Sequence, residues 1–230
     1  MLTPFERSSD PRRVLTLNLN FILMKKSAFF VLCFIFIASL STYSQKNEEK
    51  PRKGQIGLTF SSFGENDVVR SQELIGSASK NGDTFYTIGI NYLSKLNNFL
   101  DVETGIEYSN HKIFVKPMVL PNMDSYSPNY RASISLINIP VTLRANFLKY
   151  CFINGGLLFE MDASTSSPID SQTGIGSVMG LGIKYDFKSG LSAFVNPYYK
   201  MHSLVPFSSA DNHQRLMESG FRFGLMYKLK

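Results

Sequence analysis

Eight segments of this 230-residue chain alternate apolar and polar side chains with the two-residue period of a β-strand. In the last of them, Phe221, Phe223, Leu225, Tyr227 and Leu229 alternate with Arg222, Gly224, Met226 and Lys228. In the third, Asp101, Glu103 and Glu107 share one face. Carboxylates at alternate positions of a strand cannot face lipid, so they must face water or a polar interior. The pattern therefore predicts strands with one apolar and one polar face.

The connections between these segments alternate in length. Short turns are predicted at 95–98, 147–149 and 188–190, and long polar loops at 64–82, 115–131, 163–173 and 203–214. Short periplasmic turns and long outer loops are typical of transmembrane barrels, whereas a soluble sandwich has no reason to alternate them. No window has the helical i, i+3, i+4, i+7 spacing. We predict an all-β fold, an eight-stranded antiparallel up-and-down transmembrane β-barrel, with a bulge or strand end at Pro197.

A secretory leader precedes the strands. Met24-Lys25-Lys26 begins it, and an apolar run to Ala38 follows that is shorter than the roughly 20 residues of a spanning helix. We expect residues 24–45 to be a cleaved signal peptide, 1–23 to be an extension upstream of the true start, 46–53 to be a disordered lead-in, and 54–230 to be the barrel domain. Cys33 lacks the small residue that precedes a lipidated cysteine, so we interpret it as an ordinary residue of the leader. The predicted location is the bacterial outer membrane.

Composition excludes several functions for the exported chain. Removing the five basic and two acidic residues before Lys46 lowers the formal charge from +6 to +3. No cluster of Lys and Arg with interleaved aromatics remains, which argues against nucleic-acid binding. Cys151 is the single remaining cysteine, so an intrachain disulfide is impossible and a cysteine-based metal site is disfavoured.

The polar face of the strands defines the candidate lumen. An eight-stranded barrel is just wide enough for its own side chains to fill, so inward charges of mixed sign are expected to form structural ion pairs, with a conducting path as the alternative. The ion-pair candidates are Asp101, Glu103, Glu107, Arg144, Glu160, Lys184, Asp186, Arg222 and Lys228. The glycines expected to make room for longer side chains are Gly105, Gly156, Gly176, Gly180, Gly182 and Gly224.

Catalytic and metal sites are not predicted. The three histidines, His111, His202 and His213, are expected near outer strand ends or in loops. Their candidate companions in a rim hydrolase are Ser109, Ser203, Asp211 and Glu218, residue types common in any exposed loop. No two histidines have a spacing at which one strand or turn would converge them on an ion. We expect no catalytic residues, no metal ligands and no cofactor.

Four stretches resemble the PorT-like family of small outer-membrane β-barrel proteins. They are the leader end Tyr43-Ser44-Gln45, the strand from Leu136 to Arg144 with its Ile139-Pro140-Val141 core, Asn154-Gly155-Gly156, and the closing stretch from Gly220 to Tyr227. The resemblance covers essentially all of the exported chain. It implies a non-enzymatic barrel, and the member that gives the family its name is associated with protein secretion. Unlike many bacterial barrels, this chain ends on Leu229-Lys230 and not on an aromatic residue.

The predicted function is therefore structural. We expect a non-enzymatic barrel in outer-membrane lipid that supports a membrane assembly such as secretion, contacting envelope or secretion components through its outer loops or periplasmic rim. A narrow channel for small solutes or ions is the alternative, and a rim hydrolase is the second alternative.

Overall fold

Eight antiparallel strands follow one another in chain order and close into a barrel in the computed structural model, which describes residues 54–70, 79–117, 128–208 and 212–229. The strands are β1 (Gln55–Val69), β2 (Ser79–Lys95), β3 (Leu100–Lys116), β4 (Tyr130–Phe147), β5 (Cys151–Asp162), β6 (Gly174–Asp186), β7 (Leu191–Pro206) and β8 (Arg215–Lys228). The predicted fold class is confirmed. The signal-peptide prediction lies outside the described residues. Within the described ranges, no helix is long and apolar enough to cross a membrane.

The strands continue into regions that the sequence assigned to long loops. We call the end of the barrel with the long connections the loop end, and the opposite end the turn end. β2 begins at Ser79 and β7 reaches Pro206, inside the predicted loops 64–82 and 203–214. Irregular register accompanies this lengthening between Ser62 and Glu65 of β1 and between Gly82 and Phe85 of β2. Polar side chains made these tips look like loops, although their backbone groups remain paired with the neighbouring strands.

The predicted bulge or strand end at Pro197 is wrong. β7 runs through Pro197 with the same register to β6 on both sides, from the pair Gly180–Tyr198 to the pair Ile183–Val195. Pro197 also remains opposite Phe221 of β8. Its missing amide therefore interrupts the ladder to β6 without bending the strand out of the sheet.

The outward face of the barrel is a continuous apolar band. Leu58 is 65% exposed, Ile90 57% and Ile106 63%, although each lies within a paired strand. Exposed aromatic residues follow the turn end of this band, namely Tyr92, Phe147, Tyr150, Tyr185, Phe187 and Tyr227. Soluble monomers do not expose an apolar surface of this extent, whereas a transmembrane barrel presents an apolar belt with aromatic girdles to lipid. The barrel therefore spans a membrane.

The interior contains packed apolar side chains. Three buried apolar clusters follow one another along the barrel axis. The loop-end cluster is Ile113, Val115, Ile134, Leu136, Ile169 and Leu216; the middle cluster is Phe85, Leu158, Val178 and Tyr198; the turn-end cluster is Leu93, Phe152, Phe194 and Met226. Polar and charged side chains fill the space between them.

Glycines on the inward face make room for this packing. A Cβ at Gly182 would lie 2.2 Å from the ring of Phe152, and one at Gly224 would lie 2.1 Å from the ring of Phe194. Side chains also crowd Gly176 and Gly180, whereas Gly105 and Gly156 lie closest to the backbone of the neighbouring strand. The turn-end cluster therefore exists because two of the residues facing its rings have no side chain.

We predict that Gly182→Ala destabilises the barrel by about 1–3 kcal/mol, because the added methyl group overpacks the fully buried Phe152. The matched control is Gly155→Ala on the neighbouring strand, where the nearest atom to a Cβ is 3.6 Å away. Urea unfolding of the refolded barrel in detergent measures both. Equal unfolding midpoints for the two variants would contradict the packing argument.

Candidate functional site

The centre of the lumen holds a buried carboxylate between two guanidinium groups. Glu103 on β3 lies 2.5 Å from Nη2 of Arg144 on β4 and 3.0 Å from Nη2 of Arg222 on β8. All three side chains are at most 5% exposed. The guanidinium of Arg144 also lies over the rings of Phe152 and Phe194, 4.3 and 4.7 Å from their centroids. Cation–π contact and ion pairing together hold Arg144 at the edge of the turn-end cluster.

A second carboxylate extends this network toward β7. Glu107 lies 3.1 Å from Nζ of Lys200 and 3.7 Å from Nη1 of Arg222. Lys200 in turn lies 3.7 Å from Oε1 of Glu218 on β8. The amide of Asn91 donates to both Glu103 and Glu107, each at 3.4 Å. Charges from β3, β4, β7 and β8 therefore meet across the lumen and link its opposite walls.

The other predicted ion-pair candidates lie outside this central network. Asp101 accepts a hydrogen bond from Asn146 at 2.7 Å, and Lys184 donates to the same amide at 2.6 Å. Asp186 accepts a hydrogen bond from the Ser192 hydroxyl. Lys228 is exposed at the turn end. Asn146 therefore bridges two of the predicted charges that do not touch one another directly.

Sequence reasoning missed two members of the network. Lys200 shares its face with Asn196 and Tyr198, yet the irregular pattern of β7 concealed an inward cation there. Glu218 was considered only as a companion of the histidines. Its place in the register, opposite Lys200 on the adjacent strand, is the signal that could have identified this pair.

His213 lies in the connection between β7 and β8, as the sequence predicted, but the other two histidines lie inside strands. His111 and His202 are fully buried in the lumen on β3 and β7, with ring centroids 5.2 Å apart. Nε2 of His111 lies 3.4 Å and Nε2 of His202 lies 3.5 Å from Oε2 of Glu218. Nδ1 of His202 lies 2.5 Å from Oε1 of Glu160. The expectation that no histidines converge considered one strand or turn at a time, but closure of the barrel brings distant strands together.

His213 and Ser203 form a separate pair in the loop-end lumen. Ser203 Oγ lies 3.1 Å from His213 Nε2. Burial lowers the pKa of His213 and Arg215 lowers it further, against the opposing influence of Asp170, so the neutral ring can accept the hydroxyl proton. Among the described residues, however, none hydrogen-bonds His213 Nδ1, and Ser203 is fully buried. The pair therefore lacks the orienting group and the access to substrate that a hydrolase needs.

The remaining companions proposed for a rim hydrolase do not complete that pair. Ser109 accepts a hydrogen bond from Asn138 at 3.3 Å inside the barrel wall. Glu218 belongs to the central network, and Asp211 lies outside the described residues. The geometry of the described residues thus gives no support to catalysis at the rim.

Comparison with known proteins gives likenesses of fold. No protein-family model matches the chain, and no curated protein matches its sequence. The outer membrane protein OprG from Pseudomonas aeruginosa is 14% identical, with 79% of this chain and 97% of that chain covered and a TM-score of 0.48. The outer membrane protein AlkL is 12% identical, with 80% and 94% covered and a TM-score of 0.41. The translocator domain of the autotransporter NalP from Neisseria meningitidis is 9% identical, with 88% and 98% covered and a TM-score of 0.27.

These comparisons leave membership of the PorT-like family a prediction, and at such TM-scores they carry no argument about activity. The surface of the barrel indicates the membrane in which the protein lies. A closed antiparallel barrel of eight strands with an apolar belt, aromatic edges and alternating turn and loop lengths has the construction of outer-membrane barrels. The protein is an outer-membrane β-barrel.

We predict that Glu103→Gln destabilises the barrel by about 3–5 kcal/mol, because it leaves two buried guanidinium groups without their shared carboxylate. The control is Arg131→Gln, which removes an ion pair of similar length, 2.8 Å to Asp83, from side chains that are 69% and 30% exposed. That change is expected to cost about 1 kcal/mol or less. Because the chain contains no tryptophan, far-UV circular dichroism in urea follows unfolding.

A double variant tests whether the loss comes from the unpaired charge. Adding Arg144→Met to Glu103→Gln removes one of the two cations that Glu103→Gln leaves unpaired. The double variant should therefore lose less stability than the sum of the losses in the two single variants. Strictly additive losses would contradict direct coupling between Glu103 and Arg144.

Proposed function

We propose that this protein is a non-enzymatic outer-membrane barrel with a closed lumen, which supports a membrane assembly, such as a secretion apparatus, through protein contacts at its loop end. The observation that carries the proposal is the filled interior. Three apolar clusters and a charge network occupy the lumen along its whole length. A barrel that does not conduct must act through its surfaces.

The lumen contents support closure rather than passage. A channel for ions or small solutes needs a continuous polar path, whereas here buried apolar clusters lie at the loop end, in the middle and at the turn end of the lumen. Glu103, Glu107, Arg144, Lys200 and Arg222 also bind one another, so these five charges offer no free site to a passing ion. Opening a path would require breaking buried ion pairs and cluster packing together.

The outer wall formed by β3 and β4 supports a contact role. Lipid-facing Ile106 and Ile139 give way along these strands to Lys112, Ser133 and Arg131, which are exposed toward the loop end. This wall is made of paired strands and not of loose loops. Hydrogen bonds connect its two strands: Tyr108 and Asn110 of β3 each lie 3.1 Å from the Ser135 hydroxyl of β4.

An aromatic residue lies at the centre of this polar wall. Lys116 and Arg131 both approach the ring of Phe114, each 5.7 Å from its centroid. A rigid surface that combines an aromatic ring with arginine and flanking polar groups resembles the composition of protein interfaces. We therefore place the partner contact on this wall, and the periplasmic rim is the competing location.

We predict no conductance steps for the refolded protein in planar lipid bilayers. Arg222→Met should lower stability because Glu103 and Glu107 lose a shared cation, yet it should leave the bilayer current at baseline. Ion-selective conductance in the unaltered protein, altered by Arg222→Met, would replace the proposal with the narrow channel.

We predict that a photo-cross-linker at Ser133 or Lys112, both exposed on the outer wall, captures one reproducible protein partner in the native outer membrane. The matched controls are Ile139 in the lipid-facing band and Lys188 at the turn end. The capture should be absent at Ile139 and weak at Lys188. Capture at Lys188 alone would move the contact to the periplasmic rim, and the absence of a partner at every position would contradict the assembly role.

A further inference from the structure

Three buried side chains in the lumen carry ligand atoms that have no hydrogen-bond partner. Both ring nitrogens of His111, Nε2 of His202 and Oε2 of Glu218 are buried, and none of them makes a hydrogen bond to the described part of the chain. One ligand atom from each of these three residues lies within 4.8 Å of the other two. Buried polar groups almost always have a hydrogen-bond partner or another ligand. Three neighbouring groups without a hydrogen bond therefore indicate a ligand that they share.

We propose that His111, His202 and Glu218 bind one divalent transition-metal ion of the zinc type. The two nitrogen-to-oxygen distances, 3.4 and 3.5 Å, are too long for good hydrogen bonds. They match the edge of a tetrahedron whose metal–ligand bonds are about 2.0–2.1 Å, which is about 3.4 Å. Two imidazoles and one carboxylate form a ligand set that zinc and related ions accept.

The surrounding residues orient the ligands as metal sites require. Oε1 of Glu160 lies 2.5 Å from Nδ1 of His202, and the other oxygen of Glu160 accepts the backbone amide of Ser203 at 2.7 Å. A carboxylate on one ring nitrogen directs the lone pair of the other toward a metal. Glu218 is held in the same way, because its Oε1 accepts the Tyr198 hydroxyl and leaves Oε2 facing the imidazoles.

The charge of the lumen also favours a divalent cation. Among the described residues, the buried ionisable side chains other than histidine and tyrosine include five carboxylates and three cations. Half-buried Lys184, which is bridged to Asp101 through Asn146, adds a fourth cation. With neutral imidazoles, one negative charge remains uncompensated in a low-dielectric interior, where an unpaired charge is costly. A divalent ion at the histidines would supply the missing positive charge. The competing explanation is that a proton on an imidazole does so instead.

The site lies apart from the proposed partner surface and adds a second property to the barrel. Its ligands come from β3, β7 and β8, so a bound ion would join one side of the barrel to the other near the loop end. Because folding creates such a site, metal binding would also stabilise the fold.

The test measures zinc in purified barrel that has been refolded in detergent without chelator. We expect one zinc ion per chain by elemental analysis and a rise in the thermal unfolding temperature on adding zinc. His111→Phe is the decisive variant, because His111 makes no hydrogen bond to the described residues and stacks on Phe85 with a centroid distance of 5.8 Å. Phenylalanine preserves that stacking and removes only the ligand.

Zinc affinity in His111→Phe should fall by more than the roughly 10- to 100-fold that loss of an outer-sphere partner costs, while the metal-free protein remains as stable as the unaltered one. His213→Gln, a buried histidine outside the cluster, should bind zinc normally. Absence of zinc binding by the unaltered barrel would overturn the proposal in favour of protonated imidazoles. Equal binding by His111→Phe would overturn it by locating the ion elsewhere.

Discussion

Pairing between β1 and β8 closes the sheet, and the other features of the barrel depend on this closure. In lipid, an unpaired strand edge would leave backbone amides and carbonyls without partners at several kcal/mol each. The register from Gln55–Lys228 to Val69–Arg215 removes that edge along nearly the full length of both strands. Closure with eight strands also sets the diameter, and the diameter leaves an interior that side chains must fill.

A narrow filled interior explains the unusual use of charge. Within the apolar belt each strand turns one face to lipid, so the polar residues there have no place except the lumen. The lumen shields them from water, so a buried charge needs an ion-pair or hydrogen-bond partner. Glu103 pairs with two arginines, and the rings of Phe152 and Phe194 cover the guanidinium of Arg144 from the turn end. The missing side chains at Gly182 and Gly224 make the space for those rings.

The sequence predicts which face a residue occupies but not which residues meet across the lumen. Alternation placed Glu103, Arg144 and Arg222 inside because side-chain direction has a strict period of two. Contact across the barrel depends on the height of each residue along the axis, which in turn depends on register and bulges. Lys200 and Glu107 are separated by 93 positions and yet lie 3.1 Å apart. The approach of His111 to His202 depends on the same closure, so no local sequence motif could predict it.

The ends of the strands could not be predicted from local sequence patterns either. The loop-end tips of β2 and β7 carry polar residues, and composition alone makes them resemble loops. Their backbone is paired because the neighbouring strands continue beside them, which is a property of the closed sheet and not of either segment. β3 and β4 likewise stay paired beyond the apolar belt, and there they carry Lys112, Ser133 and Arg131 on a paired wall. A partner that binds there would lose little conformational entropy in ordering the surface, whereas a flexible loop would have to be fixed on binding.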